Sequence, residues 1–198
     1  FGSGTVVFSG GKIASDGATA RTLANGLTLS GALAIGDATN SGAMTLTGAA
    51  ALSAATTLTV ASATTLSGVL SGAYSLTKAG SAELTLSGAN TFGGATVVDA
   101  GTLTLSGGSA LANSMAVTVN ASGTLKLASS EEIATLAGAG LVDLQSNTLT
   151  LSGSGNTAYS GVMSGSGSLV KSGSGELTLS GVNTFSGGAT VSGGTVLV

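Results

Sequence analysis

A three-residue unit, apolar–Thr–apolar, recurs along the chain and restricts its fold more than any other feature. It stands as Leu27-Thr28-Leu29, Leu58-Thr59-Val60, Leu84-Thr85-Leu86, Leu103-Thr104-Leu105, Val117-Thr118-Val119, Leu149-Thr150-Leu151 and Leu177-Thr178-Leu179, with Met44-Thr45-Leu46 and Leu125-Lys126-Leu127 as variants. Alternation of period two marks a strand: the flanking aliphatics share one face and the central residue takes the other. Ser-Gly, Gly-Gly, Asn-Gly and Ala-Gly pairs between the triplets are turn chemistry. A helical reading fails because each glycine in a helix interior costs about 1 kcal/mol, and 34 of the 198 residues are glycine. Proline is absent, so every backbone N–H is free to join a ladder.

The triplets lie inside a longer repeat. LTKAGSAELTLSGANTF at 76–92 returns as LVKSGSGELTLSGVNTF at 169–185. Lys78 and Lys171, Glu83 and Glu176, and Phe92 and Phe185 are related by one constant offset. GGATVVDAGTL at 93–103 then answers GGATVSGGTV at 187–196 after a one-residue slip. Spacing between the triplet threonines is uneven, short from Thr104 to Thr118 and long from Thr150 to Thr178. The common interval, as from Thr85 to Thr104, fits one coil of a β-helix with two or three faces. Coils rise by the inter-strand distance of about 4.8 Å, so nine or ten coils give a rod on the order of 45 Å long. Stability in such an array is summed over neighbouring interfaces. The reading is one continuous β-solenoid over 1–198, with homologous blocks near 74–105 and 167–198.

Composition supports a packed solid of this kind. Apolar residues are 42% and charged residues 7%, the reverse of a disordered segment. Aromatics are 3% and tryptophan is absent, so the core is built from small and branched aliphatics, which suit a narrow interior.

The two blocks, K-[AS]-G-S-x-E-L-T-L-S-G-x-N-T-F followed by GGATV, resemble the passenger-associated transport repeat of bacterial autotransporter passengers. The intervening ALANSMAVTVNASGTLKL and the earlier AMTLTGAAALSAATTLTVASATTLSGVLSGAY are similar to the linking coils of such proteins. The resemblance implies an all-β, right-handed parallel β-helix, export to the bacterial outer cell surface, and a separate C-terminal outer-membrane barrel. Within the motif, Asn90 and Asn183 are expected at turns, bonding their own backbone or stacking on an amide of the adjacent coil. Phe92 and Phe185 are expected to plug a wide corner of the core, and Gly93, Gly94, Gly187 and Gly188 to supply positive φ.

The chemistry of a reactive site is missing. Histidine and cysteine are both absent, which removes the commonest general base, metal ligands and thiol nucleophile. Of the carboxylates, Glu131 and Glu132 alone are adjacent; strand neighbours point to opposite faces, and a solvated turn pair is the reading, with a weak calcium contact as the alternative. Lys78/Glu83 and Lys171/Glu176 read as exposed ion pairs across a turn, each worth under about 1 kcal/mol. Gly165-Ser166-Gly167 lacks the following helix and Lys-Ser/Thr ending of a phosphate loop. Asn120-Ala121-Ser122 is formally a glycosylation acceptor. No catalytic, cofactor-binding or metal residue is assigned, and the chain is read as a non-enzyme without a cofactor.

The five basic residues Lys12, Arg21, Lys78, Lys126 and Lys171 are scattered, which argues against nucleic acid as a partner. Short strands and missing aromatic girdles argue against insertion as a membrane barrel. The expected role is a structural or display rod, with an adhesin that binds glycans or neighbouring cells through one face as the alternative. An ice-binding threonine array is the remote one; irregular triplet spacing and Lys126 in the ladder weigh against it. Both ends read as ordinary coil, so the expected partners are further coils or copies of the chain stacked end to end.

Overall fold

The computed structural model describes residues 2–198, and every regular element in them is a β-strand. All strand pairings are parallel, and each strand pairs with one a coil away in sequence. Coils differ in length: the register runs through a short one between Lys126 and Asp143 and a long one between Leu33 and Leu58. The structure is a parallel β-solenoid of about ten turns.

Each coil has three faces, which resolves the choice between two and three. The first face carries Val6–Phe8, Leu27–Leu29, Ala50–Leu52, Leu70–Ser71, Glu131–Ile133, Thr148–Leu151, Ser168–Lys171 and Ala189–Val191. The second carries Gly11–Ile13, Gly31–Ile35, Thr56–Val60, Leu76–Ala79, Thr96–Val98, Ala116–Val119, Thr135–Gly138, Thr157–Tyr159, Glu176–Leu179 and Thr195–Leu197. The third carries Arg21–Leu23, Met44–Leu46, Thr64–Leu66, Leu84–Leu86, Thr102–Leu105, Thr124–Leu127, Leu141–Asp143 and Val162–Ser164.

Some strands run through a corner without a break. Leu27–Ile35 and Thr96–Leu105 each serve two faces, with a register shift at Leu29/Gly31 and at Val98/Ala100. A bulge of this kind bends the strand and re-aims its side chains, which here turns the chain onto the next face.

The core follows from the triplets. In Leu84-Thr85-Leu86 both leucines are fully buried and Thr85 is half-buried on the outside. The same alternation holds at Met44–Leu46, Leu149–Leu151 and Leu177–Leu179. Lys126 takes the outward position between buried Leu125 and Leu127. One apolar column of stacked aliphatics runs through the molecule, and each fully buried Leu or Val contributes about 1.5–3 kcal/mol.

Corner glycines serve packing more than conformation. A Cβ on Gly68 would lie 2.1 Å from the Gly48 carbonyl oxygen of the coil before it, so neighbouring corners close up only if that carbon is missing. The expectation for the repeat glycines needs correcting on this point. Gly188 alone of the four has positive φ, at 84°. Gly94 and Gly187 are required because a Cβ would meet backbone at 2.2 Å and 2.4 Å, while Gly93 has room.

The two repeats also land on different faces. Lys78 lies on the second face and Lys171 on the first; Leu84–Leu86 lies on the third and Leu177–Leu179 on the second. The register of the second face climbs from Lys78 through Val98, Val119 and Gly138 to Tyr159, and Lys171 lies two faces beyond. The repeat offset is therefore four coils plus two faces. The same block folds equivalently at a different azimuth, because the three faces offer it similar neighbours.

Candidate functional site

Polar side chains inside the solenoid join coils to one another. On the first face the regular ladder lapses after Leu70–Ser71 and resumes at Glu131–Ile133. Asn90 lies in this gap, almost wholly buried. Its Oδ1 accepts from the Leu70 N–H at 2.7 Å, and its Nδ2 donates to the Ala110 carbonyl at 2.8 Å. One coil further on, the Glu131 carboxylate accepts the Ala110 and Leu111 N–H groups at 3.3 and 2.7 Å. Where strand geometry is lost, side chains thus supplement the remaining backbone bonds between coils, Asn90 N–H to the Ser109 carbonyl and Thr91 N–H to the Leu70 carbonyl, and unpaired buried backbone groups are avoided.

Glu131 overturns the reading of Glu131 and Glu132 as a solvated turn pair. Glu131 is 4% exposed and points inward, while Glu132 takes the outward side of the same strand. Burial pushes the Glu131 carboxyl up from its ordinary range, and the two backbone N–H donors act against that shift. Opposite faces for strand neighbours were legible; which of the two would be buried was not.

The lysine–glutamate pairs are also corrected. Lys78 is 0% exposed, and its ammonium donates to the carbonyls of Ala79 at 3.1 Å, Gly80 at 2.8 Å and Ala100 at 2.9 Å. Burial pushes its pKa down to about 8. Lys171 is buried likewise and donates to the Gly173 carbonyl. Neither lysine pairs with its expected glutamate: Glu83 accepts from the Thr104 hydroxyl at 2.5 Å, and the Glu176 N–H donates to Asn156 Oδ1 at 2.8 Å. The lysine of the repeat is an internal clamp that fills a corner with charge and satisfies carbonyls. Ion pairs among the described residues are Lys12–Asp37 and Arg21–Asp16.

The remaining motif residues are structural in their surroundings. Asn183 Oδ1 accepts from the Met163 N–H at 2.8 Å and its Nδ2 donates to the Gly181 carbonyl at 3.1 Å, on the third face and half-buried. Both asparagines thus bond the backbone of an adjacent coil, and Asn183 also bonds its own local backbone at Gly181. Phe92 is fully buried, whereas Phe185 packs against the core only in part. Gly165-Ser166-Gly167 is a corner, where Ser166 Oγ donates to the Gln145 carbonyl. Asn120 is half-buried and donates to Asp99 at 2.9 Å. Tyr159, which no repeat motif marks, is fully buried, and its hydroxyl donates to the Gly140 carbonyl at 2.7 Å.

Space inside the rod is small. An apolar gap of about 20 Å³ near Phe8, Ile13, Leu29, Leu33 and Leu58 has room for about one water. A shallow outer groove of about 550 Å³ is lined by Asn113, Ser114, Ala134, Thr135 and the stretch 152–155, with no titratable side chain. Among the described residues no three Asp, Glu, His or Cys side chains converge as metal ligands, and no helix is long and apolar enough to cross a membrane.

Residues 76–105 and 169–198 each match the family model of the passenger-associated-transport-repeat. The chain carries two passenger-associated transport repeats. The matched stretches begin at Leu76 and Leu169, at the strands that deliver the buried lysines, and extend through Glu83, Asn90 and Phe92 and their counterparts. This family implies a secreted or surface-exposed protein, and the parallel solenoid fits a segment of an autotransporter passenger. Searches of curated proteins and of solved structures return no match.

Proposed function

We propose that this segment is a non-catalytic structural rod of a surface protein, a stalk or spacer that holds other parts of the protein away from the cell. One observation carries the reading: the buried polar groups Lys78, Asn90, Glu131 and Tyr159 all bond to backbone, most of it in a neighbouring coil. Groups that would have to meet a substrate in an enzyme are instead spent on joining layers. The exterior offers few aromatic or charged anchors of the kind that dominate binding surfaces; of the two tyrosines, Tyr74 is exposed and Tyr159 is buried.

The test is to delete or duplicate whole coils in the parent protein and image it by electron microscopy. A rod of constant width should shorten or lengthen by about 4.8 Å per coil, and adherence of the parent's other regions should survive. Loss of adherence when coils are exchanged at constant rod length would favour the adhesin reading instead.

A further inference from the structure

The third face presents a feature that sequence spacing conceals. Thr22, Thr45, Thr65, Thr85 and Thr104 are direct register partners in five successive coils, without a bulge between them. Their sequence separations vary, but the variation is absorbed in the corners and the column is unbroken. It ends at Lys126, the next partner of Thr104. Spacing irregularity therefore does not count against a threonine array over residues 20–106, and Lys126 bounds that array without interrupting it.

Two further outward columns flank the threonines. On one side Ala43, Ala63 and Glu83 accept the N–H of the coil before. On the other, Thr47, Ser67, Ser87 and Ser106 donate to the preceding coil through their own N–H. The result is a grid of methyls and hydroxyls repeating about every 4.8 Å along the axis and about 6.6 Å across it. Glu83 is the one charged residue on these columns, and its carboxylate is engaged by Thr104. Thr104 is buried beneath that contact, which leaves Thr22, Thr45, Thr65 and Thr85 as the open members of the column.

The chemistry of this grid selects its partner. Four open rungs and three columns cover on the order of 300 Å², well below the roughly 800 Å² per partner of a stable protein interface. It has no aromatic ring to stack on a sugar, and its one cation, Arg21 on the first rung, is paired with Asp16. Each hydroxyl contributes about 1 kcal/mol at most, so affinity requires a neutral partner that is itself rigid and periodic and meets many positions at once. We propose that the third face over residues 20–106 binds the surface of ice, with the threonine column as its centre.

The test uses the chain alone and so is independent of its role as a rod. Thermal hysteresis, ice recrystallisation and partition of fluorescently labelled protein into a growing ice front are measured for the wild type, Thr65→Tyr, Thr85→Tyr and Thr118→Tyr. Thr118 is an outward residue of the second face. The wild type and Thr118→Tyr should halt recrystallisation and enter the ice. Thr65→Tyr and Thr85→Tyr should lose both effects while keeping the same β-sheet circular dichroism. Absence of any ice effect in the wild type overturns the proposal, as does equal loss in Thr118→Tyr. Wild-type protein that sediments with cellulose or chitin crystallites but ignores ice also overturns it.

Discussion

Replacing Asn90 by alanine should expose the energetics of the side-chain ladder. Asn90 supplies an acceptor to the Leu70 N–H and a donor to the Ala110 carbonyl, and both of those residues are fully buried. Water cannot replace the lost amide without opening the stack. Each orphaned buried group costs about 1–3 kcal/mol, so Asn90→Ala should destabilise by about 2–6 kcal/mol. Its repeat counterpart Asn183 is half-buried, as is its Gly181 partner, and only the Met163 N–H belongs to a fully buried residue, so Asn183→Ala should cost less, about 1–3 kcal/mol. Urea unfolding gives the totals, and amide hydrogen exchange gives the local effect: the Leu70 N–H should lose protection in Asn90→Ala only. Equal costs at the two asparagines, or a Leu70 amide that stays protected, would refute the reasoning.

Lys78 gives stability a dependence on pH. Its pKa is near 8 in the fold against 10.5 unfolded, so below pH 8 both states carry the proton and the burial cost is fully felt. Between pH 8 and 10.5 the fold releases its proton first, and stability should rise by up to about 3 kcal/mol; Lys78→Met should abolish that rise in urea titrations at stepped pH. The Glu131 carboxyl is raised in the fold, so its contribution is fully present below the unfolded value of 4.5 and is lost as pH climbs through the folded value; Glu131→Gln should flatten that part of the same titration. Gly68→Ala sets a Cβ 2.1 Å from a backbone oxygen and should cost more than about 3 kcal/mol, while Gly93→Ala, with open space, should stay within about 0.5 kcal/mol in thermal melts.

The parts of this fold that were legible in the sequence are those set by period two. Leu84-Thr85-Leu86 and its relatives announce which side chain faces inward, because alternation on a strand leaves no other choice. Coil length was readable from the same spacing. What local sequence could not convey was the destination of side chains at corners. Lys78 and Glu83 look like an ion pair when each is assumed to be solvated, but the corner after Lys78 converges three carbonyls, and that convergence depends on Ala100, a coil away. Glu131 looks solvated in sequence for a similar reason: the free N–H groups of Ala110 and Leu111 that it caps exist only because the ladder lapses there. Gly94 and Gly187 are needed for an approach between coils, a property of the stack, whereas positive φ is a local property and was the natural first guess.

The account rests on in-register stacking of successive parallel coils, and paired cysteines test it most directly. The chain has no cysteine of its own, so Thr65→Cys combined with Thr85→Cys introduces a clean pair. Register places these two side by side on the third face, about 4.8 Å apart, which lies within disulfide reach. Thr77 is closer to Thr65 in sequence but lies on the second face. Mild oxidation should close the 65–85 pair and leave a 65–77 pair reduced. A 65–77 crosslink forming while 65–85 stays open would contradict the stack.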